Sequence, residues 1–483
     1  MKGYVTIVTA FLLFSATAFI ESCYAQTPTL WGITSVGGQN NLGTIFSYDL
    51  NTGSYAVWYS FDSASGINPT GSLLQASDGY LYGMTNAGGT YNSGTIFSFN
   101  ISADTFKVVH NLGNPNDSDG IAPWGSLFQA DNGLLYGMTQ YGGVHNNGIV
   151  FSYNIFTDAY THVHNFGQSE YDGFGPYGSI MQASNGLIYG MTSEGGEGAS
   201  GVIFSYDYST NTYRIVYNFG FHHNDGVSPL GTLVQANDSL LLGLTYLGNI
   251  NGGGTIFSYN IYTDSEYILY NFSIFLKGQA PRGSLAKANN GLFYGTTYDG
   301  GYDSVGVIFD YDIIADTVAD MHDFGSNKDG VNPFGSLLQA SNGLLYGTTG
   351  LGGDYDSGTL FSYNIANGEE VIVHSFSGRN DGFFQVADVI EVDFPTGFIQ
   401  LSSLNAELKI YPNPTANTLT GTINSNSLKT SGKIIAPDGR VLLDNILMQQ
   451  GRFEIDVSGL SAGVYLLEVT NERKRLIRKF VKQ

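Results

Sequence analysis

The words "GSLLQASDGYLYGMT" at Gly71 return with small changes at Gly125, Gly178, Gly231, Gly283 and Gly335, at intervals of 54, 53, 53, 52 and 52 residues. A truncated copy, "LWGITSVGGQNNLGTIFSYD", precedes them from Leu30. A unit repeated in this way buries its apolar surface against the next copy, and periods near 50 residues belong to propeller blades. Within one copy, strand a reads "GSLLQA", strand b "LYGMT", strand c "TIFSFN" and strand d "FKVVHNL", with the loop "GGTYNSG" between b and c. Four strands per copy make one blade.

The turns agree. Asp78-Gly79, Asn132-Gly133, Asn185-Gly186, Asn290-Gly291 and Asn342-Gly343 each separate strands a and b, as short hairpins require, while Asp238-Ser239 departs from the pattern. With 65 Gly, 33 Tyr and 31 Phe against 12% charged residues, the composition suits many short strands joined by tight turns, so the chain is expected to be all-β. The first copy lacks strand a, and "DGFFQVADVI" after the last copy stands where another "DGxxPxGSLLQA" would begin. Phe384 to Ile390 is therefore expected to complete blade one. This predicts a seven-bladed β-propeller of four-stranded blades over residues 26–396, with no open sheet edge at the seam.

The recurring "DGxxPxGSLLQAxxGxLYGxTxxGGxxxxGTIFSYN" resembles the GloVer-type bacterial tandem repeat and, more distantly, kelch blades. The resemblance covers about Leu30 to Ile390 and implies a propeller-like fold and no particular activity. After a linker at 397–403 the composition changes. "LKIYPNPTANTLTG", "APDGR", "LSAGVY" and the basic end "RKFVKQ" together resemble the type A C-terminal sorting domain of the type IX secretion system, over residues 404–483. That resemblance implies a small β-sandwich, a partnership with the secretion machinery and delivery to the cell surface or beyond it.

The amino terminus agrees with export. Lys2, an apolar run from about Val5 to Ile20 and Ala25 before Gln26 have the layout of a signal peptide over residues 1–25, cleaved between Ala25 and Gln26. The apolar run is shorter than the roughly 20 residues of a membrane span, so no transmembrane span is expected in the mature chain. A lipoprotein signal at Cys23 would set Glu21 where a small or apolar residue belongs. Cys23 is the only cysteine, so the mature chain would lack disulfides and thiolate chemistry. From Leu404 onward 11 Lys and Arg stand against 7 Asp and Glu, which leaves 8 against 34 before it. So acidic a ring disfavours nucleic-acid partners.

Chemistry is less legible. "GLSAG" around Ser461 matches a nucleophile elbow, but no helical pattern follows it. The b–c loops space their glycines as a phosphate loop does, without its Lys-Ser/Thr, and are read as sharp turns. Strand d carries Tyr59, His110, His164, Tyr217, Tyr270, His322 and His374 at one place. This column is expected to bond neighbouring blades rather than to hold metal. Asp119, Asp172, Asp225, Asp329 and Asp381 precede each strand a as Asp-Gly turns, with calcium binding as the alternative.

Binding is expected on the face shared by the b–c loops and the crossings between blades, where residues vary inside fixed motifs. Trp124, Tyr177, Arg282 and Phe334 precede the strand-a glycines, with Thr70 and Leu230 at the same place. Tyr91, His145, Tyr302 and Tyr355, with Glu197, stand in the b–c loops. The expectation is a non-enzymatic surface module without a cofactor that grips a glycan or a surface protein. A glycan lyase or hydrolase with its site at the ring's mouth and a passive scaffold are the alternatives; Lys277 and Arg282 are the strongest departures from the repeat.

Overall fold

The computed structural model describes residues 28–392 and 408–482, apart from 223–224, 249–251, 274–277, 326–328, 384–387, 412–414, 424–429, 437–440, 448–451 and 472–473. The expected leader with Ala25 and Gln26, the linker 397–403 and Lys277 lie outside the described residues. No described residue is helical, and among them no helix is long and apolar enough to cross a membrane.

The repeat folds into seven antiparallel four-stranded sheets. In blade three, strand a (Phe128–Gln129) pairs with strand b (Leu135–Thr139), which pairs with strand c (Ile149–Tyr153), itself paired with strand d (Tyr160–Asn165). A one-residue irregularity between Val150 and Phe151 recurs in every c–d pair. Each sheet is covered on both faces by its neighbours, so strands b and c are buried throughout rather than alternating. Between blades three and four, Tyr136, Met138, Val150 and Phe166 meet Ile180, Ile188, Phe204 and Tyr206. The glycine of each strand b makes room for the strand-c phenylalanine: a Cβ on Gly137 would lie 2.5 Å from Phe151 Cζ.

Blade one is closed from both ends, as expected, by a strand placed later than expected. Ile390–Val392 pairs with Thr29–Thr34 through Leu30↔Glu391 and Trp31↔Ile390. The register matches blade two, where Tyr82↔Leu74 and Leu81↔Gln75. The expected strand, Phe384 to Ile390, meets the observed one only at Ile390, and residues 384–387 lie outside the described residues. The physical reason appears in the full copies. The first half of "GSLLQA" does not pair with strand b, because its backbone donates around the ring. Ser126 N–H donates to Ser179 Oγ (2.7 Å), Ser179 N–H to Thr232 Oγ1 (2.9 Å) and Thr232 N–H to Ser284 Oγ (2.7 Å). Ser284 N–H continues to Ser336 Oγ (2.9 Å), and Ser336 N–H ends on Asp388 Oδ1 (2.5 Å).

The carboxy-terminal residues form two sheets. One joins Leu408–Tyr411, Thr418–Ile423 and Arg452–Asp456; the other joins Thr430–Ile435, Val441–Leu447, Gly463–Asn471 and Lys474–Lys482. Leu419, Ile434, Phe453, Ile455, Val457, Leu467 and Phe480 form their buried core. Ser461 sits in an exposed turn, its carbonyl accepting from Tyr465 Oη (2.9 Å), and a strand follows it. A nucleophile elbow needs a helix there.

Candidate functional site

Two layers of side chains descend from the repeat to the axis. Glycine comes at the point of closest approach: a Cβ on Gly178 would stand 2.1 Å from the Gly231 carbonyl oxygen. The residue before it is thereby set on the rim. Trp124, Tyr177, Leu230, Arg282 and Phe334 line a cavity of about 380 Å³ whose floor is the glycine and hydroxyl ring. Thr70, at the same place in blade two, is buried and donates to Pro123 O (2.9 Å).

The crossings and the b–c loops do share one face. Gly120 and Ile121 of a crossing pair with Gly142 and Tyr141 of the loop beside them, and the next two joints repeat this. The loop residues that reach the cavity, however, are those that directly follow strand b: Ser193, Glu194, Tyr246 and Leu247. Tyr91, His145, Tyr302 and Tyr355 are exposed at the loop tips, Tyr302 to 89%, and do not line the cavity. Glu197 is likewise exposed. The glycines of these loops turn the chain as expected, with φ of 80° and 75° at Gly88 and Gly89 and 105° at Gly94.

Residues after strand b, outside the sequence-based expectation, hold the rim side chains in place. Gln140 Oε1 accepts from Trp124 Nε1 (2.7 Å), which fixes the indole 5.7 Å from the Tyr177 ring. On the opposite rim, the Arg282 guanidinium lies 3.9 Å from the Tyr298 ring centre, 4.9 Å from that of Tyr246 and 5.0 Å from that of Phe334. Its Nη2 donates to Tyr246 Oη (3.2 Å), and its Nε is buried without a hydrogen-bond partner. No carboxylate among the described residues is within ion-pair distance of it; Asp299 feels its charge from farther away. Asp388, where six blades have Ser or Thr, also lines the cavity, and burial pushes its carboxyl up to about 6.

The histidine and aspartate columns lie in the joints between blades. His164 Nε2 meets Asp172 Oδ2 at 3.1 Å, and its ring stacks on Tyr213 of the next blade at 3.5 Å. Tyr213 Oη in turn donates to Asp172 Oδ1 (3.1 Å). His110, Asp119 and Tyr160 repeat this arrangement, and His374 pairs with Asp381 and stacks on Tyr55 at 3.8 Å. Tyr59 stacks on Phe106 at 4.0 Å. The column thus joins blades through stacking and through the aspartate at the crossing. Asp119, Asp172, Asp225 and Asp329 are buried, and Gly113, Gly220 and Gly325 N–H groups donate to three of them. Burial raises the Asp119, Asp172 and Asp329 carboxyls, but hydrogen bonds from their histidines outweigh it and hold them below the usual range.

A seven-bladed ring of one repeat, followed by a small two-sheet domain, defines a modular repeat protein. The chain belongs to the Gloeobacter/Verrucomicrobia repeat family, which matches residues 20–252 and 220–396. Residues 409–483 match the secretion system C-terminal sorting domain, so the protein is exported to the cell surface or the extracellular space. No curated protein matches. Among solved structures, a candidate 6-phosphogluconolactonase from Bacteroides uniformis ATCC 8492 aligns with a TM-score of 0.52 at 14% identity, over 76% of this chain and 100% of that one. Another from Bacteroides fragilis NCTC 9343 gives 0.53 at 14%, over 77% and 99%. At that identity the likeness is one of fold.

Proposed function

We propose that the ring is a non-enzymatic binding module whose axial mouth takes a glycan bearing a carboxylate, such as a uronic acid. One observation carries this reading: in a chain of net charge −22, the mouth holds an arginine fixed among three aromatic rings, with a buried unpaired Nε. A guanidinium so held offers its Nη groups, rather than the sealed Nε, to a carboxylate. Trp124 and Tyr177 across the cavity offer the flat faces on which sugar rings pack.

The test is a glycan-binding screen with the full chain, neutral and uronate-bearing ligands side by side. Binding restricted to the acidic ligands, weakened at least about 30-fold by Arg282→Gln and by Trp124→Ala in folded variants, is expected from the loss of one charged and one stacking contact. Binding of neutral glycans alone, or none, would sink the reading.

Asp388 favours a second one. It breaks the ring of hydroxyls with a carboxyl pushed up to about 6 in the same cavity that holds Arg282 and Glu194, as a general acid would require. Cleavage of a bound polyuronate that disappears in Asp388→Asn while binding persists would make the protein an enzyme.

A further inference from the structure

Strand d of blade seven departs in one residue from the four joints closed by an aromatic ring at that place. Tyr55, Tyr160 and Tyr213 stand opposite Tyr48, Tyr153 and Tyr206 on strand c, and each covers the histidine of the preceding blade. The equivalent residue opposite Tyr363 is Glu370. In place of an aromatic ring, a second carboxylate faces His322 and Asp329.

We propose that the joint between blades six and seven binds one divalent transition-metal ion, zinc or manganese by its chemistry, through His322 Nε2, an Asp329 carboxylate oxygen and a Glu370 carboxylate oxygen. These three ligand atoms lie within 4.8 Å of one another, with His322 Nε2 2.9 Å from Asp329 Oδ2. One imidazole and two carboxylates suit such ions and leave a coordination place for water. The second observation is independent of the spacing. Glu370 Oε1 is shut off from solvent and has no hydrogen-bond partner. A buried carboxylate oxygen beside another carboxylate needs a proton or a cation, and His322 Nε2 is already engaged with Asp329. Among the described residues, no Lys or Arg is within ion-pair distance of Glu370.

The surroundings fit a ligand set. Asp329 Oδ1 accepts from Gly325 N–H (2.7 Å), which orients the carboxylate, and His322 packs edge-on against Phe324. The His322 side chain is 18% exposed, which gives an ion a way in. The joint between blades four and five is the internal control. There Glu266 makes the same replacement, but the residue it faces is Tyr217, whose hydroxyl lies 3.0 Å from Asp225 Oδ2 and 3.1 Å from Glu266 Oε2. With a tyrosine hydroxyl where His322 stands, that joint offers no ring nitrogen at that place.

The full chain, stripped with chelator and free of affinity tags, is titrated with zinc and with manganese by calorimetry, and bound metal is counted by mass spectrometry. One ion per chain and a rise in Tm on loading are expected. Glu370→Tyr rebuilds the stack of the other joints and so stays folded, yet should lose affinity by about 100-fold or more, because it removes a ligand outright. Glu266→Tyr should leave binding unchanged. No bound metal in the wild type, or a stoichiometric site that survives Glu370→Tyr, overturns the proposal.

Discussion

The joint between blades three and four and the axial mouth are made from the same repeat to opposite specifications. At the joint every polar group closes on another: His164 on Asp172, Tyr213 on both, Gln168 and Gly173 N–H groups on the same carboxylate. At the mouth, a few residues farther along the motif, a guanidinium nitrogen has no partner and a carboxyl replaces a hydroxyl. Where the repeat is kept, side chains satisfy each other and hold the ring. Where it varies, they are left able to meet something else.

Substitutions should separate the two regions by size and kind of effect. Phe204→Ala removes a fully buried ring packed 5.6 Å from Phe166, and should cost about 4 kcal/mol in denaturant unfolding without touching the mouth. Asp172→Asn leaves His164 and two backbone donors without their anion and should cost about 3 kcal/mol at pH 7. The Asp172 carboxyl titrates below its unfolded value, so this contribution is present at neutral pH and fades as pH falls through the folded pKa. The gap between wild type and Asp172→Asn should therefore narrow in acid; a constant gap would mean that the carboxylate charge is not what joins the blades.

Glu266 reverses the sign. Burial, and then the Asp225 charge, push its carboxyl up to about 7, so the folded chain holds a proton that the unfolded chain releases. Stability from this group is complete below the unfolded pKa near 4.5 and declines as pH rises towards 7. Glu266→Gln should accordingly raise stability by about 2 kcal/mol at pH 8 and by little at pH 4, measured as Tm against pH. The smallest effect belongs to the mouth. Arg282→Gln should change unfolding free energy by no more than about 1 kcal/mol, since the side chain has cation–π contacts and one hydrogen bond but no ion pair to lose. A large loss would make Arg282 part of the frame.

Architecture was legible because it was written seven times. Period, turn glycines and the strand-d column all report on contacts that every blade makes, and chance variation cannot hide a pattern with that much redundancy. The rim was half legible. Trp124, Tyr177, Arg282 and Phe334 stood out as the variable residue before an invariant glycine, whereas Gln140, Tyr246 and Tyr298 vary after an invariant threonine and carry the same signal. The loop tips Tyr91, His145, Tyr302 and Tyr355 vary for the plain reason that solvent constrains them little. Strand a was misjudged in extent because its first residues hydrogen-bond across blades, a long-range pairing that no local pattern records. Glu370 is visible in the sequence only once strand d is aligned with its six counterparts.

The clasp at blade one has a consequence for how the chain matures. The partner of Leu30 and Trp31 is Ile390–Val392, so no fragment growing from the amino terminus contains a finished first sheet until more than 350 residues have followed. The sorting domain begins a short stretch beyond that clasp, with its first described strand at Leu408. Any cleavage that left the ring intact would therefore have to fall after Val392. A cut a few residues earlier would take the last strand with it, expose the edge of blade one and release an unlatched ring.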